Sequence, residues 1–333
     1  MYYNPKRKNR TLFTVFMVIM FAILLAACSE SAAPAKQSEP VTVHVAINGG
    51  TNLFAIIKDK GWLTESFKKL SANVEWSEFP SGPPLLESLA AGRVDISLLG
   101  DGAALQGQSA GLPFVNIGLI SKGVNLNSIL LPIDSSIQSV ADLKGKQIAV
   151  AKGTTSHVYL IKLLEKNELA ESDVAIVNLQ YTDGLPAFLS GQVDGWVTVD
   201  PFITQLTLEN KAVVLSDGEA NILAPVTLIA HSTFAEKHPE LVTAFLDVYK
   251  KALAWQAEHL DESAALLAES KKIPVPIMKT VLSEQHPELS PISEAEISTQ
   301  QASADILVKT GFLKKEIAYA DYVDNSFVNG LAD

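Results

Sequence analysis

"IAVAKGTT" (Ile148–Thr155) aligns with "VAINGGTN" (Val45–Asn52), and "SGQVDGWVTVD" (Ser190–Asp200) aligns with "AGRVDISLLGD" (Ala91–Asp101) in the same register. Each copy opens with an apolar, β-branched run that ends at Gly-Thr, and each closes with a Gly helix stop and a Val-Asp strand ending in a carboxylate. Two half-chains of one architecture follow. In open parallel α/β sheets small ligands bind past the carboxyl ends of the strands. The repeat therefore sets Thr51, Asn52 and Asp101 across a crevice from Thr154, Thr155 and Asp200. Such a geometry is a clamp. The competing reading is that the match reflects only recurring βαβ grammar, with Gly at helix ends and β-branched residues in strands.

Outward from the first copy, Val41–Ile47 reads as a strand, Leu53–Lys60 as a helix closed by Gly61, and Val74–Phe79 as a second strand. "FPSGPPLLESLAAG" (Phe79–Gly92) adds a turn and a helix with Pro at its start and Gly at its end, and Val94–Leu99 is the third strand. The second copy repeats this with a strand before Gly153, a helix from about Ser156 to Asn167, a strand at Ala175–Leu179 and the strand at Val193. This βαβαβ pattern predicts α/β lobes, each a mostly parallel sheet with helices on both faces. The apolar runs Asn127–Asp134 and Ala224–His231 read as two hinge crossovers. Lobe I is thus residues 41–131 and 227–333, and lobe II is 132–226. From Ser232 the chain reads as mostly helical. Phe245, Tyr249 and Trp255 fall on one apolar stripe of a long helix and read as core.

The N-terminus carries a basic head, "KRKNR" (Lys6–Arg10), an apolar run from Thr11 to Ala26, and "LAAC" ending at Cys28. This resembles a bacterial lipoprotein signal over residues 1–27, which implies cleavage before Cys28 and lipidation of that residue. The run is shorter than the roughly 20 residues that span a bilayer. Cys28 is the chain's only cysteine, so no disulfide forms within the chain and no thiol is left for catalysis. Residues 28–40, rich in Ser, Ala and Pro, read as a flexible tether. Removing the head takes the formal charge from −11 to −15. An acidic body disfavours nucleic acid or anionic lipid as partners.

The loop Gly153-Thr154-Thr155-Ser156-His157 lies between a strand and a helix, where free backbone amides, hydroxyls and the helix dipole make an anion site. A purely capping role for Thr154 or Ser156 uses the same donors. Arg93 is the only arginine after Cys28, so a guanidinium clamp is disfavoured unless Arg93 itself reaches the cleft, and any anion is held mainly by neutral donors, with Lys152 or His157 as nearby candidates. That suits a sulfonate better than a phosphate. Asp101 and Asp200 either accept hydrogen bonds from a ligand tail or cap local turns. Trp196 either floors the pocket or packs in the core.

No catalytic or metal-binding constellation emerges, and no cofactor is expected. Ser66–Lys69 fits S-x-x-K and Lys309–Gly311 fits K-T-G, but the second ends a helix and no S-x-N lies suitably between. The six histidines are scattered.

Three stretches carry a further resemblance: "VEWSEFPSGPPLLESLAAGRVD" (Val74–Asp95), "SILLPIDSSIQSVADLKGKQIAVAKGTTSHVYL" (Ser128–Leu160) and "GQVDGWVTVDPF" (Gly191–Phe202). They are similar to the solute-binding proteins of ABC importers for aliphatic sulfonates, taurine and nitrate. The resemblance implies a two-lobed type II periplasmic-binding fold that traps a small anion and hands it to permease subunits. It also implies a monomer held by its lipid anchor on the extracytoplasmic face of the cell membrane. In this sequence the implied cleft residues are Gly50, Thr51, Asn52, Ser81, Gly82, Gly100, Asp101, Gly153, Thr154, Thr155, Ser156, His157, Trp196 and Asp200. Val199 stands where sulfonate binders often have an aromatic, and "GDGAA" (Gly100–Ala104) departs from the family's usual run. Alternatives are a binding protein for a thiamine pyrimidine precursor, and an enzyme of the related pyrimidine-synthase type, which would want the catalytic cysteine this body lacks.

Overall fold

Asp95 and Asp194 explain why both copies contain a Val-Asp step. Asp95 Oδ2 accepts the His44 amide at 2.8 Å while its own amide donates to the His44 carbonyl, also at 2.8 Å. Asp194 does the same to Gln147, at 2.7 and 2.8 Å. Each carboxylate therefore ties a returning strand to the first strand of its half. The preceding glycines, Gly92 (φ 67°) and Gly191 (φ 71°), sit in the left-handed region where a Cβ is disfavoured. Both end their helices with a Schellman turn, closed by Arg93 N–H to Ser88 O and Gln192 N–H to Ala187 O, each 3.0 Å.

The computed structural model describes residues 40–215 and 222–331, and the leader, Cys28 and the tether to residue 39 lie outside the described residues. The first half runs β1 (Val41–Asn48), α1 (Leu53–Asp59), α2 (Trp62–Lys69), β2 (Ala72–Phe79), α3 (Gly82–Ala90), β3 (Ile96–Gly100), α4 (Asp101–Ser109) and β4 (Phe114–Ser121). The second runs β5 (Asn127–Leu131), β6 (Gln147–Val150), α5 (Thr155–Lys166), β7 (Ala175–Asn178), α6 (Tyr181–Leu189), β8 (Gly195–Val199), α7 (Phe202–Leu208) and β9 (Val213–Val214). The chain ends with β10 (Val226–His231), α8 (Ser232–Lys237), α9 (Pro239–Glu258), α10 (Leu260–Lys271), α11 (Val275–Glu284), α12 (Glu294–Lys309) and α13 (Ser326–Asn329).

Two five-stranded sheets result, ordered β2-β1-β3-β10-β4 and β7-β6-β8-β5-β9. In each, four strands point one way and one, β10 or β5, runs against them. The sheets are thus mixed, and each antiparallel member is the strand next to a crossover. Both runs expected to cross between the lobes contain strands: Val226–His231 is β10 of the first sheet, so the second crossover falls before residue 226. Asn127–Leu131 hydrogen-bonds along β8, so this stretch is a strand of the second sheet and the first crossover falls at 122–126. Hydrogen bonding to a sheet, which apolarity alone does not reveal, decides this. The helix expected to stop at Gly61 does stop, but Gly61 (φ 66°) also starts α2.

Helices cover both faces of each sheet. On one face of the first, Phe54 of α1 meets Phe245 and Tyr249 of α9 edge-on at 5.3 and 6.2 Å, in a core that also takes Leu63, Phe67 and Leu267. Burying one such ring stabilises the fold by about 1.5–3 kcal/mol. On the other face, α3 and α4 bury Leu85, Leu89 and Ala103 against Ala46, Leu99 and Ile229. In the second sheet α5 covers one face with Leu160 and Leu164 over Val150 and Val197. Phe188 of α6 and Phe202 of α7 cover the other with Trp196. A further core joins the lobes: Leu105 and Leu119 from the first, Val158 and Ile161 from the second, and Ala304, Leu307 and Tyr319 from the C-terminal segment.

Candidate functional site

The loops after β2 and β3 meet those after β6 and β7. Ser81, the N-cap of α3, donates its hydroxyl proton to Gln180 Oε1, the N-cap of α6, at 2.7 Å. A Cβ on Gly100 would overlap Thr155 Cγ2, and one on Gly102 would lie 2.5 Å from the Thr154 carbonyl oxygen. Gly153 (φ 81°) faces Pro83 and Gln106 of the first lobe, where a Cβ would lie 3.0 and 2.8 Å away. Glycine at 100, 102 and 153 thus lets the two backbones approach.

The N-terminus of α5 is the polar centre of this contact. Thr154 spends its hydroxyl on the Ala151 carbonyl at 2.6 Å, and its own carbonyl accepts the amides of His157 and Val158 at 3.1 and 3.2 Å. The Thr155 and Ser156 amides lie in the first turn, one turn too early to find a helical acceptor. Their hydroxyls converge on Asn127 Oδ1, Thr155 at 3.1 Å and Ser156 at 2.9 Å. The Tyr181 hydroxyl lies 3.0 Å from Ser156 Oγ. Burial raises the Tyr181 pKa above the ordinary phenol value, so this group stays a neutral donor.

His157 faces away from these hydroxyls. Its Nδ1 accepts the Gly153 amide at 3.4 Å, so the proton sits on Nε2, which donates to Glu171 Oε1 at 3.2 Å. That bond lowers the Glu171 pKa, with Lys152 Nζ, 3.4 Å from the same oxygen, adding to the effect. The imidazole also meets Phe312 edge-on at 4.9 Å. His157 therefore holds the Gly153 turn in place.

Asp101 is the first residue of α4 and is 1 % exposed. Its Oδ1 accepts the Gly102 amide at 2.7 Å, and its Oδ2 lies 3.6 Å from Lys162 Nζ of α5. Burial outweighs the lysine and pushes its pKa up to about 6. Asp101 is thus half of an ion pair between lobes, a third job beside the two expected of it. Asp200 Oδ1 accepts the Thr204 amide at 3.0 Å and caps α7, its local role.

Other expected residues do structural work. Asn52 caps α1 by accepting the Phe54 amide at 3.1 Å and donates back to Asn48 O at 2.8 Å. Thr51 Oγ1 accepts from Gln285 Nε2 at 2.8 Å. Gly50 (φ 74°) turns the chain just before them, and Gly82 lies flat against Ala103. Trp196 is 0 % exposed between Phe188 and Phe202, its indole ring against Gly184. Arg93 precedes β3 and so lies at the sheet edge opposite the loops.

Sequence reasoning missed Asn127, Gln180, Tyr181 and Lys162. The repeat held a signal for two of them: Gln180 and Tyr181 follow β7 as Ser81 and Gly82 follow β2. Ser156 Oγ has Asn127 Oδ1 and the Tyr181 hydroxyl as its hydrogen-bond partners among the described residues. Among the described residues no group of three His, Cys, Asp or Glu side chains is placed to hold a metal. The centre gathers two amides of the first helical turn and three hydroxyls.

Residues 54–263 match the family model described as NMT1/THI5 like. A putative aliphatic sulfonates-binding protein of Bacillus subtilis (strain 168) is 36% identical over 315 residues, spanning 94% of this chain and 95% of its own. Among solved structures, the alkanesulfonate-binding protein SsuA from Xanthomonas axonopodis pv. citri, bound to MOPS, superposes with a TM-score of 0.80 at 29% identity, over 86% of this chain and 99% of that one. The periplasmic aliphatic sulphonate binding protein SsuA from Escherichia coli gives 0.76 at 27% identity, over 85% and 97%.

Proposed function

The chain belongs to the NMT1/THI5-like family, and from that premise we propose that it captures a small organosulfonate between its lobes for an ABC importer. The observation that carries this reading is the α5 N-terminus, where the Thr155 and Ser156 amides and the Thr155, Ser156 and Tyr181 hydroxyls gather, with the nearby lysines among the described residues already paired. Lys162 is held by Asp101 and Lys152 by Glu171. A sulfonate is a singly charged, weakly basic anion with three acceptor oxygens, which amides, hydroxyls and a helix dipole can serve. A phosphate dianion calls for the guanidinium or ammonium partner that this site lacks. The sulfonate-binding roles named for the relatives support this choice.

In this reading the receptor is lipidated at Cys28, stays monomeric on the extracytoplasmic face of the cell membrane, and docks on permease subunits. Loss of labelled-palmitate incorporation in Cys28→Ala tests the anchor.

Thermal stabilisation of the full chain by alkanesulfonates, taurine, nitrate and pyrimidines tests the ligand class. A ligand at about 100 times its Kd adds roughly 2.7 kcal/mol. Stabilisation by sulfonates is expected. A response to pyrimidines with silence from every anion contradicts the reading.

A further inference from the structure

Asn127 is 6 % exposed at the start of β5, and its two ends are treated unequally. Oδ1 accepts both Thr155 Oγ1 and Ser156 Oγ, while Nδ2 is buried without a hydrogen-bond partner among the described residues. A hydroxyl has one hydrogen. While both hydroxyls donate to Asn127, they turn only lone pairs toward anything at the α5 N-terminus, and lone pairs repel an anion. Ser156 then takes the Tyr181 proton as an acceptor, so the whole cluster points its hydrogens inward.

We propose that Asn127 is a positioning residue that sets the polarity of this site by turning its amide over when an oxyanion enters. In the reversed state Nδ2 donates one proton to Thr155 Oγ1 and one to Ser156 Oγ. Both hydroxyl hydrogens are then released toward the anion, beside the free amides of the same two residues. One rotation gives the orphaned amine two acceptors and converts two repelling groups into donors. An unpaired buried carbonyl oxygen remains, which proteins tolerate more readily than an unpaired N–H. The inference rests on the anion-capture reading above and adds how this chain makes neutral hydroxyls face a negative charge. It also favours oxyanions with at least two free oxygens over neutral ligands, because only a negative charge draws both hydrogens out together.

Asn127→Leu, close in volume and unable to donate, tests it by sulfonate titration of the full chain. We expect affinity to fall by at least about tenfold. In a Thr155→Ala/Ser156→Ala background the same change is expected to cost far less, since Asn127 acts through those hydroxyls. An equal loss in both backgrounds, or none in either, overturns the inference. In isotope-labelled wild type, where no variant needs to fold, the Asn127 side-chain amide protons are expected to move downfield on sulfonate binding as they gain acceptors. Protons that stay put while sulfonate binds overturn it too. A wild type that binds no sulfonate removes the functional reading itself, whereas a wild type that binds with Asn127 indifferent removes this inference alone.

Discussion

Asp101 and Lys162 face each other from different lobes, with Oδ2 and Nζ 3.6 Å apart and the carboxylate all but sealed from solvent. Burial raises the carboxyl pKa from 3.8 to about 6 in spite of the lysine, so the charged form costs stability above pH 6 and that cost fades as pH falls toward 3.8. Asp101→Asn removes the titration. The stability of wild type relative to this variant is expected to rise by roughly 2 kcal/mol between pH 7.5 and pH 4. Thermal melts of both proteins across that range check it, and parallel pH profiles would refute it.

Gly100→Ala tests whether the lobes must approach this closely. Gly100 has φ −80° and ψ 166°, a conformation open to any residue, so the new methyl adds no backbone strain. It does collide with Thr155 Cγ2 across the cleft. The variant is expected to melt like wild type without ligand, and to bind sulfonate about tenfold more weakly or worse. Solution scattering should show wider lobes. Unchanged affinity would show that ligand is held without this contact.

Trp196→Phe separates the two roles expected of that residue. Enclosed by Phe188 and Phe202 with 0 % exposure, Trp196 packs in the second lobe's core. The smaller ring is expected to cost about 1–3 kcal/mol of stability. Sulfonate affinity, read by titration, should stay within about twofold. A large loss of affinity at intact stability would return Trp196 to the ligand.

The pair His157–Glu171 makes a prediction of the opposite pH sign. His157 lowers the Glu171 pKa by hydrogen bonding, so this carboxylate adds stability above its unfolded pKa and loses it as pH falls through the folded one. Glu171→Gln is expected to destabilise near neutral pH, and the deficit should vanish in acid. His157→Leu frees the Gly153 amide and is expected to weaken sulfonate binding without abolishing it, read by titration.

What the sequence made legible was local and repeated. Gly92 and Gly191 end helices, Asp95 and Asp194 tie strands, and the Gly-Thr turns open α1 and α5, all within a few residues of their partners. From these the two sheets and the turn that opens α5 could be read. Partners distant in sequence were not legible. Lys162 reaches Asp101 only because α4 and α5 pack across the lobes, and Asn127 reaches Ser156 only because β5 joins the second sheet. Asn52 and Asp200 showed the reverse ambiguity: a residue at a strand's carboxyl end can serve a ligand, cap the next helix or do both, and the hydrogen bonds present are those of a cap.

Isothermal titration of an alkanesulfonate into the full chain, and into Thr155→Ala/Ser156→Ala, tests the central claim most directly. The account expects one sulfonate per chain in wild type and an affinity at least about 100-fold lower, roughly 2.7 kcal/mol, in the double variant. Absence of sulfonate heat in wild type, or equal affinity in the folded double variant, would contradict it.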